Sequence, residues 1–405
     1  MRLGTPLALV ALAPVVGAAL VNLPQRVPIG PVSLMGALTI AQTLLTLIAL
    51  ATLRTFPRRL LILNLPLLLY LAWLIMRSIF APPGLEGAQN ALVYFLFAAM
   101  LLLTGTLAAH FPARMLRLFE RALAILTFTA LLVIVANFIT FGWPRGNWWV
   151  GARSAALIGL VALNWALVRW AGGDRRAFPG LLVWLVLIIL TTSRTASFIA
   201  LVSIACIGVV LLRTNRGKAL VALSVVILSV LGFGLLLALS PVYRARMLAG
   251  DASLYIGDVA INANGRLEYW ATTVDAIRHH PIIGAGAGSS QEMIAASFLN
   301  SDNVVHPHND YLRVWHDFGL LGLLLLLLGP ALWLPRLARS GYRRLLVGDR
   351  LSAPVLLAGL TLLQLLLAMF TDNILIYPFF MGAAGTIVGL ALGLDVPRRR
   401  PAPAP

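Results

Sequence analysis

Twelve stretches of 17 to 24 mostly apolar residues, divided by short polar connections, leave this chain few ways to fold. A helix rises 1.5 Å per residue and a bilayer's hydrocarbon core is about 30 Å thick, so roughly 20 apolar residues suffice to cross it. The stretches lie at 5–22, 33–53, 60–79, 89–109, 120–141, 152–170, 177–193, 195–213, 218–239, 312–335, 351–371 and 374–394. Across 405 residues, 60% are hydrophobic and only 11% charged, and the mean hydropathy is +0.92. That is too little charge to solvate a water-soluble globule of this size. The expectation is an all-α, multi-pass membrane protein of about twelve spans. Met1, Arg2 and the run ending at Gly17, Ala18 and Ala19 have the outline of a signal peptide. With eleven comparable runs following, that run reads as an uncleaved first span.

The net charge of +17 follows membrane topology rather than nucleic-acid binding, because the basic residues cluster at the ends of the apolar runs. With the N-terminus in the cytoplasm, 21 of the 31 basic residues fall on the cytoplasmic side, including Arg54, Arg58, Arg59 and the group from Arg336 to Arg350. The other ten are scattered on the opposite face. Both termini are therefore expected inside, the 336–350 connection as a solvated cytoplasmic turn, and Trp143, Trp148 and Trp149 as an aromatic belt outside. Cys206, alone, excludes an internal disulfide or a cysteine metal site and reads as a packing residue.

One polar interlude breaks the pattern. It occupies about 240–311 and divides the chain into spans one to nine (1–239), the loop itself, and spans ten to twelve with a tail (312–405). From Ser240 to Leu312 lie seven of the 14 acidic residues and four of the six histidines. Leu267, Trp270, Val274 and Ile277 recur at helical spacing, with Asn264 placed to cap the start and Pro281 to close the segment. Ser289 and Glu292 have the spacing of a capping box ahead of a second short helix. The glycine run 284–288 reads as a turn, since it lacks the remainder of any nucleotide-binding fingerprint.

Three side chains in or beside this region could carry chemistry. Arg194 lies between two closely spaced apolar runs, where a guanidinium either faces a cavity or an anionic partner or snorkels to the surface. Arg266 opens the amphipathic helix, beside unpaired backbone N–H groups and the positive end of the helix dipole. It is either a phosphate ligand or an exposed loop arginine. His308 precedes a long apolar helix, where a neutral imidazole could take a proton from a hydroxyl nucleophile; His306 is its rival, and both could equally be solvated. Asp310 and Asp317 are candidates to orient the imidazole. No Asp-x-Asp or His-Glu-x-x-His pattern suggests a metal. A secondary transporter or flippase would place ionisable groups mid-span and break its helices, whereas here nearly all charges, Asp372 included, map to span ends or the loop.

The run His308-Asn309-Asp310-Tyr311-Leu312 resembles the His-[Asn/Ser/Gln]-x-x-Leu pattern of the bacterial O-antigen ligase family, which includes O-antigen polymerases and O-linked oligosaccharyltransferases. Ser193-Arg194 between apposed spans, and Gly265-Arg266-Leu267-Glu268-Tyr269-Trp270 followed by Pro281-Ile282-Ile283-Gly284, are similar to that family in order and placement. The resemblance implies a membrane-embedded glycosyltransferase of the GT-C type in the bacterial inner membrane, with its site on the periplasmic side and no cofactor or metal. It implies a donor glycan on undecaprenyl diphosphate and, in the ligases, a lipid A–core sugar hydroxyl as acceptor, with membrane lipids as surroundings. Arg194 and Arg266 would bind the donor diphosphate. His308 would be the general base, with His306, Asn309 and Asp310 as possible supporting residues. The oligomeric state is not legible.

Overall fold

A computed structural model describes residues 4–20, 27–29, 32–142, 150–248, 254–256, 259–261, 265–298 and 306–396. Trp143, Trp148, Trp149 and Asn264, with the expectations attached to them, lie outside the described residues. Among the described residues the regular structure is helical apart from two short antiparallel ladders, β1 (Pro28–Ile29) with β2 (Val32–Ser33) and β3 (Leu254–Ile256) with β4 (Val259–Ile261). In order, the helices before the polar interlude are α1 (Thr5–Gly17), α2 (Leu34–Ala51), α3 (Arg58–Leu63), α4 (Leu65–Phe80), α5 (Leu85–His110), α6 (Pro112–Phe141), α7 (Ala152–Ala171), α8 (Ala177–Leu190), α9 (Arg194–Leu212) and α10 (Arg216–Leu239). The interlude holds α11 (Pro241–Met247), α12 (Arg266–Ile277) and α13 (Ser289–Ser297), and α14 (Asp310–Leu346), α15 (Ser352–Ala368) and α16 (Pro378–Leu394) follow.

Each of the twelve apolar stretches falls on helix, with 60–79 divided between α3 and α4. Among the described residues, seven helices (α2, α5, α6, α7, α9, α10 and α14) are long and apolar enough to cross a membrane, and five shorter apolar helices accompany them. Exposure of large apolar side chains suits a lipid surround: only 6% of the most apolar window of α10 is buried, and Ile139 is 80% exposed. Cys206 is exposed on α9, so the expected packing role is corrected.

The centre is tightly built where α16 runs along α5. A Cβ at Gly385, Gly389 or Gly393 would stand 2.5, 2.4 or 2.1 Å from the carbonyl oxygens of Phe97, Leu101 and Gly105. Glycine at every fourth position lets two backbones touch, which is how helices gain packing energy where lipid removes the hydrophobic drive. The expected turn at 336–350 is also corrected, for α14 stays helical to Leu346. Arg336 Nε donates to Asp395 Oδ2 at 2.9 Å, pinning the basic end of α14 against the end of α16, and Arg344 Nη1 donates to Asp349 Oδ2 at 2.7 Å in the connection that follows.

Near its start α14 breaks at Gly319, whose backbone (φ 71°, ψ 178°) is not helical. The glycine turn docks there. Ala285 N donates to His316 O at 2.8 Å and Gly286 N to Asp317 O at 2.9 Å, while Leu320 N donates to Pro281 O at 2.9 Å. A Cβ on Gly284 would lie 2.4 Å from Gly319 N, and one on Gly319 2.0 Å from Ile282 O, so both positions demand glycine twice over, by φ and by space. Asp317 completes the joint by accepting from Gly288 N and Ser290 N at 3.1 and 2.9 Å. The run is therefore a turn locked onto a helix kink.

Candidate active site

The two loops that meet at one end of the bundle, 306–309 before α14 and 369–377 between α15 and α16, are stitched by Asp310. Its backbone N–H donates to Met369 O (2.8 Å), its Oδ2 accepts from Leu375 N (2.8 Å), and its Oδ1 accepts from Arg313 Nε (2.7 Å). Arg313 in turn donates to Tyr94 Oη at 3.1 Å, and the pair is sealed, with Asp310 0% and Arg313 1% exposed. Asp310 is thus committed to the fold and does not hold the imidazole; nor does Asp317, which is spent on the glycine turn. Asn309 is the N-cap of α14, its side chain accepting from Leu312 N at 3.1 Å.

His308 has φ of +51°, a left-handed conformation costly for a residue with a Cβ. Trp270 of α12 helps hold this segment, its Nε1 donating to Pro307 O at 2.9 Å. The ring of His308 is met by a residue the sequence did not single out: Asn373 Nδ2 lies 3.1 Å from its Nδ1. Which end of the amide faces the ring sets the tautomer. With the carbonyl turned toward Nδ1–H, Nε2 is left free to accept a proton. Burial first, then the charges of Arg153 and Arg266, hold His308 down to about 4, opposed by Asp372, so it is neutral at physiological pH.

Arg153, at the start of α7, is the second unforeseen member. Its Nη1 lies 3.2 Å from Asp372 Oδ1, which also accepts from Tyr377 Oη (2.9 Å) and Asn373 N (2.8 Å). Thr195 and Thr371 share a hydroxyl hydrogen bond of 2.6 Å, tying the first turn of α9 to the same loop. That turn carries Arg194 just after Thr192, the other non-glycine residue among those described with positive φ (57°). Arg266 is the first residue of α12, launched by Gly265 in the left-handed region, and its Nε is buried with no hydrogen-bond partner. Burial, then the charge of Arg153, and after the opposing Asp372 that of Arg194, bring Arg266 down to about 10. Arg153 and Arg194 thus act electrostatically on Arg266, with Asp372 opposing them. The unmet guanidinium N–H of Arg266 calls for an acceptor, and beside these charges an anion suits it.

His306 does not share this locality. Gln291 of α13 lies with its Nε2 3.3 Å from His306 Nε2 and is itself bonded by Asn90 Nδ2 at 2.5 Å. Burial, with the charges of Arg313 and His308 adding to it, lowers His306 to about 3. A cavity of about 380 Å³ opens here, walled by His306, His308, Asn373, Gln89, Asn90 and Gln291 among others. Ser289 is not a cap, since Gly288 holds that position; its hydroxyl donates to Gly286 O at 2.8 Å. Among the described residues no three His, Cys, Asp or Glu side chains are grouped to hold a metal ion.

Of the sequence candidates, the structure brings Arg194, Arg266 and His308 together, with His306 on an adjoining wall. Arg153, Asp372, Asn373 and Tyr377 went unforeseen because each sits at the end of an apolar run, where polar residues are ordinary. The signal available was the cluster Thr371, Asp372, Asn373 at the junction of two apolar runs.

Residues 179–327 match a family model described as O-antigen ligase. The match takes in Arg194, Arg266 and His308 and leaves Arg153, Asp372 and Asn373 outside. No curated protein matches the chain.

Proposed function

From a chain that belongs over residues 179–327 to the O-antigen ligase family, we propose a membrane glycosyltransferase that moves a glycan from undecaprenyl diphosphate onto a sugar hydroxyl of lipid A–core. The observation that carries this is the gathering of Arg153, Arg194 and Arg266, the last with a buried Nε that has no partner, beside a neutral His308. In this proposal the arginines bind the donor diphosphate, and they stabilise the charge that grows on it as it leaves, a task fixed dipoles and cations perform best when already in place. Arginine suits it, being permanently charged and bidentate toward phosphate oxygens. His308 takes the proton from the acceptor hydroxyl. The acceptor oxygen bonds to the anomeric carbon with inversion while the bond from that carbon to the diphosphate oxygen breaks, its electron pair leaving on undecaprenyl diphosphate.

An apolar groove of about 540 Å³ between α8 and α10, lined by Ile189, Leu190 and Leu236, leads from the Thr191–Arg194 end of α8 and suits the polyprenyl tail. In this proposal all twelve apolar helices span the inner membrane, both termini are cytoplasmic, and the 240–311 loop with the site is periplasmic.

The test is transfer in vitro with undecaprenyl-diphosphate-linked O-antigen and purified lipid A–core. Capped lipopolysaccharide from the wild type, lost in His308→Ala and Arg266→Ala that still express and purify normally, supports the ligase. Lengthening of the lipid-linked glycan would make it a polymerase of the same family. Unchanged activity in both variants would remove the site.

A further inference from the structure

An inverting displacement sets nucleophile and leaving group on opposite faces of the anomeric carbon, so a diphosphate held by the arginines requires the acceptor to arrive from elsewhere around His308. The cavity walled by His306 and His308 differs in kind from the arginine side. No charged side chain lines it; its polar wall is Gln89, Asn90, Gln291 and Asn373 with the two imidazoles and the hydroxyls of Ser33, Thr39 and Tyr377. Carboxamides donate and accept at once, as sugar hydroxyls do, and a wall without charge suits a neutral saccharide better than an ion. At about 380 Å³ it falls within the ~300–1,000 Å³ of small-ligand pockets.

Within it the hydrogen bonding is incomplete. Asn90 Nδ2 is paired with Gln291 Oε1, and Gln291 Nε2 with His306 Nε2, but His306 Nδ1 is buried without a partner. A buried polar atom in that state awaits a ligand group or water. Met35, Thr39, Pro378 and Phe379 line both this cavity and a second one of about 270 Å³, which is nearly all apolar and reaches past Leu38 and Leu20, 49% and 47% exposed, to the bundle's outer surface. A saccharide-sized polar chamber thus continues into a groove open toward lipid.

We infer that this chamber is the acceptor subsite, in which Gln89, Asn90, Gln291 and His306 hold an uncharged saccharide, and that the adjoining groove between α1, α2 and α16 seats an acyl chain of the same molecule. The acceptor is then a lipid-anchored sugar, not a protein. The inference rests on the proposed glycosyl transfer and adds where, and with which residues, the acceptor binds. His306 becomes a substrate-binding residue in place of a second base.

The experiment measures transfer kinetics with each substrate varied in turn for wild type, Gln89→Leu, Gln291→Leu and Thr39→Trp, the last filling the junction of chamber and groove. Binding of undecaprenyl diphosphate alone, followed by tryptophan fluorescence, checks that each variant retains the arginine site. The expected result is an acceptor KM raised about tenfold or more, with donor KM and undecaprenyl diphosphate binding within about twofold of wild type. A raised donor KM, or an acceptor KM unmoved in all three, overturns the assignment. If the wild type lengthens the lipid-linked glycan instead of capping lipid A–core, the ligase proposal fails while the subsite is judged by the same variants with that glycan as acceptor. A wild type that transfers to neither removes both.

Discussion

Replacing Arg266 with glutamine should move the acid limb of the pH–rate profile upward, and the structure says by roughly how much. A base must be neutral to act, so activity falls as the pH drops through its pKa. For His308 in the free protein that value is about 4, against 6.5 for an ordinary imidazole, and the causes in order are burial, Arg153 and Arg266, with Asp372 opposing. Burial and Arg153 each lower it by more than Arg266 does, and the three together, less the opposition of Asp372, amount to about 2.5 units, so loss of Arg266 raises His308 by up to about 1 unit, or ~1.4 kcal/mol. Because kcat/KM reports the free enzyme, its limb should move from near 4 in the wild type toward about 5 in Arg266→Gln, while Arg266→Lys should leave it nearly in place. The limb for kcat should lie above that for kcat/KM in the wild type, because bound diphosphate offsets the arginines that depress the imidazole. The variant's lower activity does not obscure the result, since the limb's position is read independently of its height. A limb that stays put in Arg266→Gln, or moves to lower pH, would refute the electrostatic coupling of Arg266 to the base.

Three further outcomes are expected. Since burial holds His306 near 3 and His308 near 4, the folded chain binds fewer protons than the unfolded one below about pH 6.5. Stability should therefore be level above that pH and fall as the pH drops toward 4, by on the order of 2–4 kcal/mol after discounting for partial solvation; a melting temperature in detergent that is flat from pH 7 to about 4 would contradict this. Asp310→Ala leaves Arg313 buried without its carboxylate and frees Leu375 N, for a loss of ~3–5 kcal/mol in thermal unfolding. Gly389→Leu should abolish folding or expression, since even a Cβ there meets Leu101 O at 2.4 Å, whereas Gly232→Ala on α10, with nothing within 4 Å, should be neutral or stabilising by up to ~1 kcal/mol; equal behaviour of the two would show that α5 and α16 are not in backbone contact.

What could be read in the sequence divides along physical lines. Span length is a one-dimensional property, so each of the twelve apolar stretches was placed on a helix from hydropathy alone. The 336–350 turn was misjudged because Arg336 and Arg344, which look like part of a solvated connection, reach Asp395 across space, a partner no local window contains. Similarly, Ser289 and Glu292 fit a capping box by spacing, yet the Ser289 hydroxyl turns to Gly286 O, Asp317 accepts from the N–H of Ser290, and Gly288 takes the cap. At the site, Arg194, Arg266 and His308 were legible because each is out of place: a cation between apolar runs, a cation at a helix start, an imidazole at the lip of a long helix. Arg153, Asp372 and Asn373 are in place locally and become functional candidates only through partners 65 or more positions away, Asn373 on His308 and Arg153 on Asp372.

That distribution of partners bears on the order of events in the proposed reaction. In the free protein Arg153 and Arg194 both depress Arg266 while Asp372 opposes them, so the arginines repel one another before any anion is bound. Diphosphate binding relieves that repulsion, whereas an uncharged sugar in the chamber beyond His308 relieves none of it. The donor is therefore the substrate whose binding energy the arginines supply. Once it is bound, its charge also raises the proton affinity of His308, so the base becomes stronger only after there is something for it to serve. Were the acceptor to bind first, it would meet an imidazole still held near 4, too weak to draw a proton from a sugar hydroxyl. In the proposed reaction, therefore, the arginines assigned to the leaving group would also hold His308 idle until the leaving group is present.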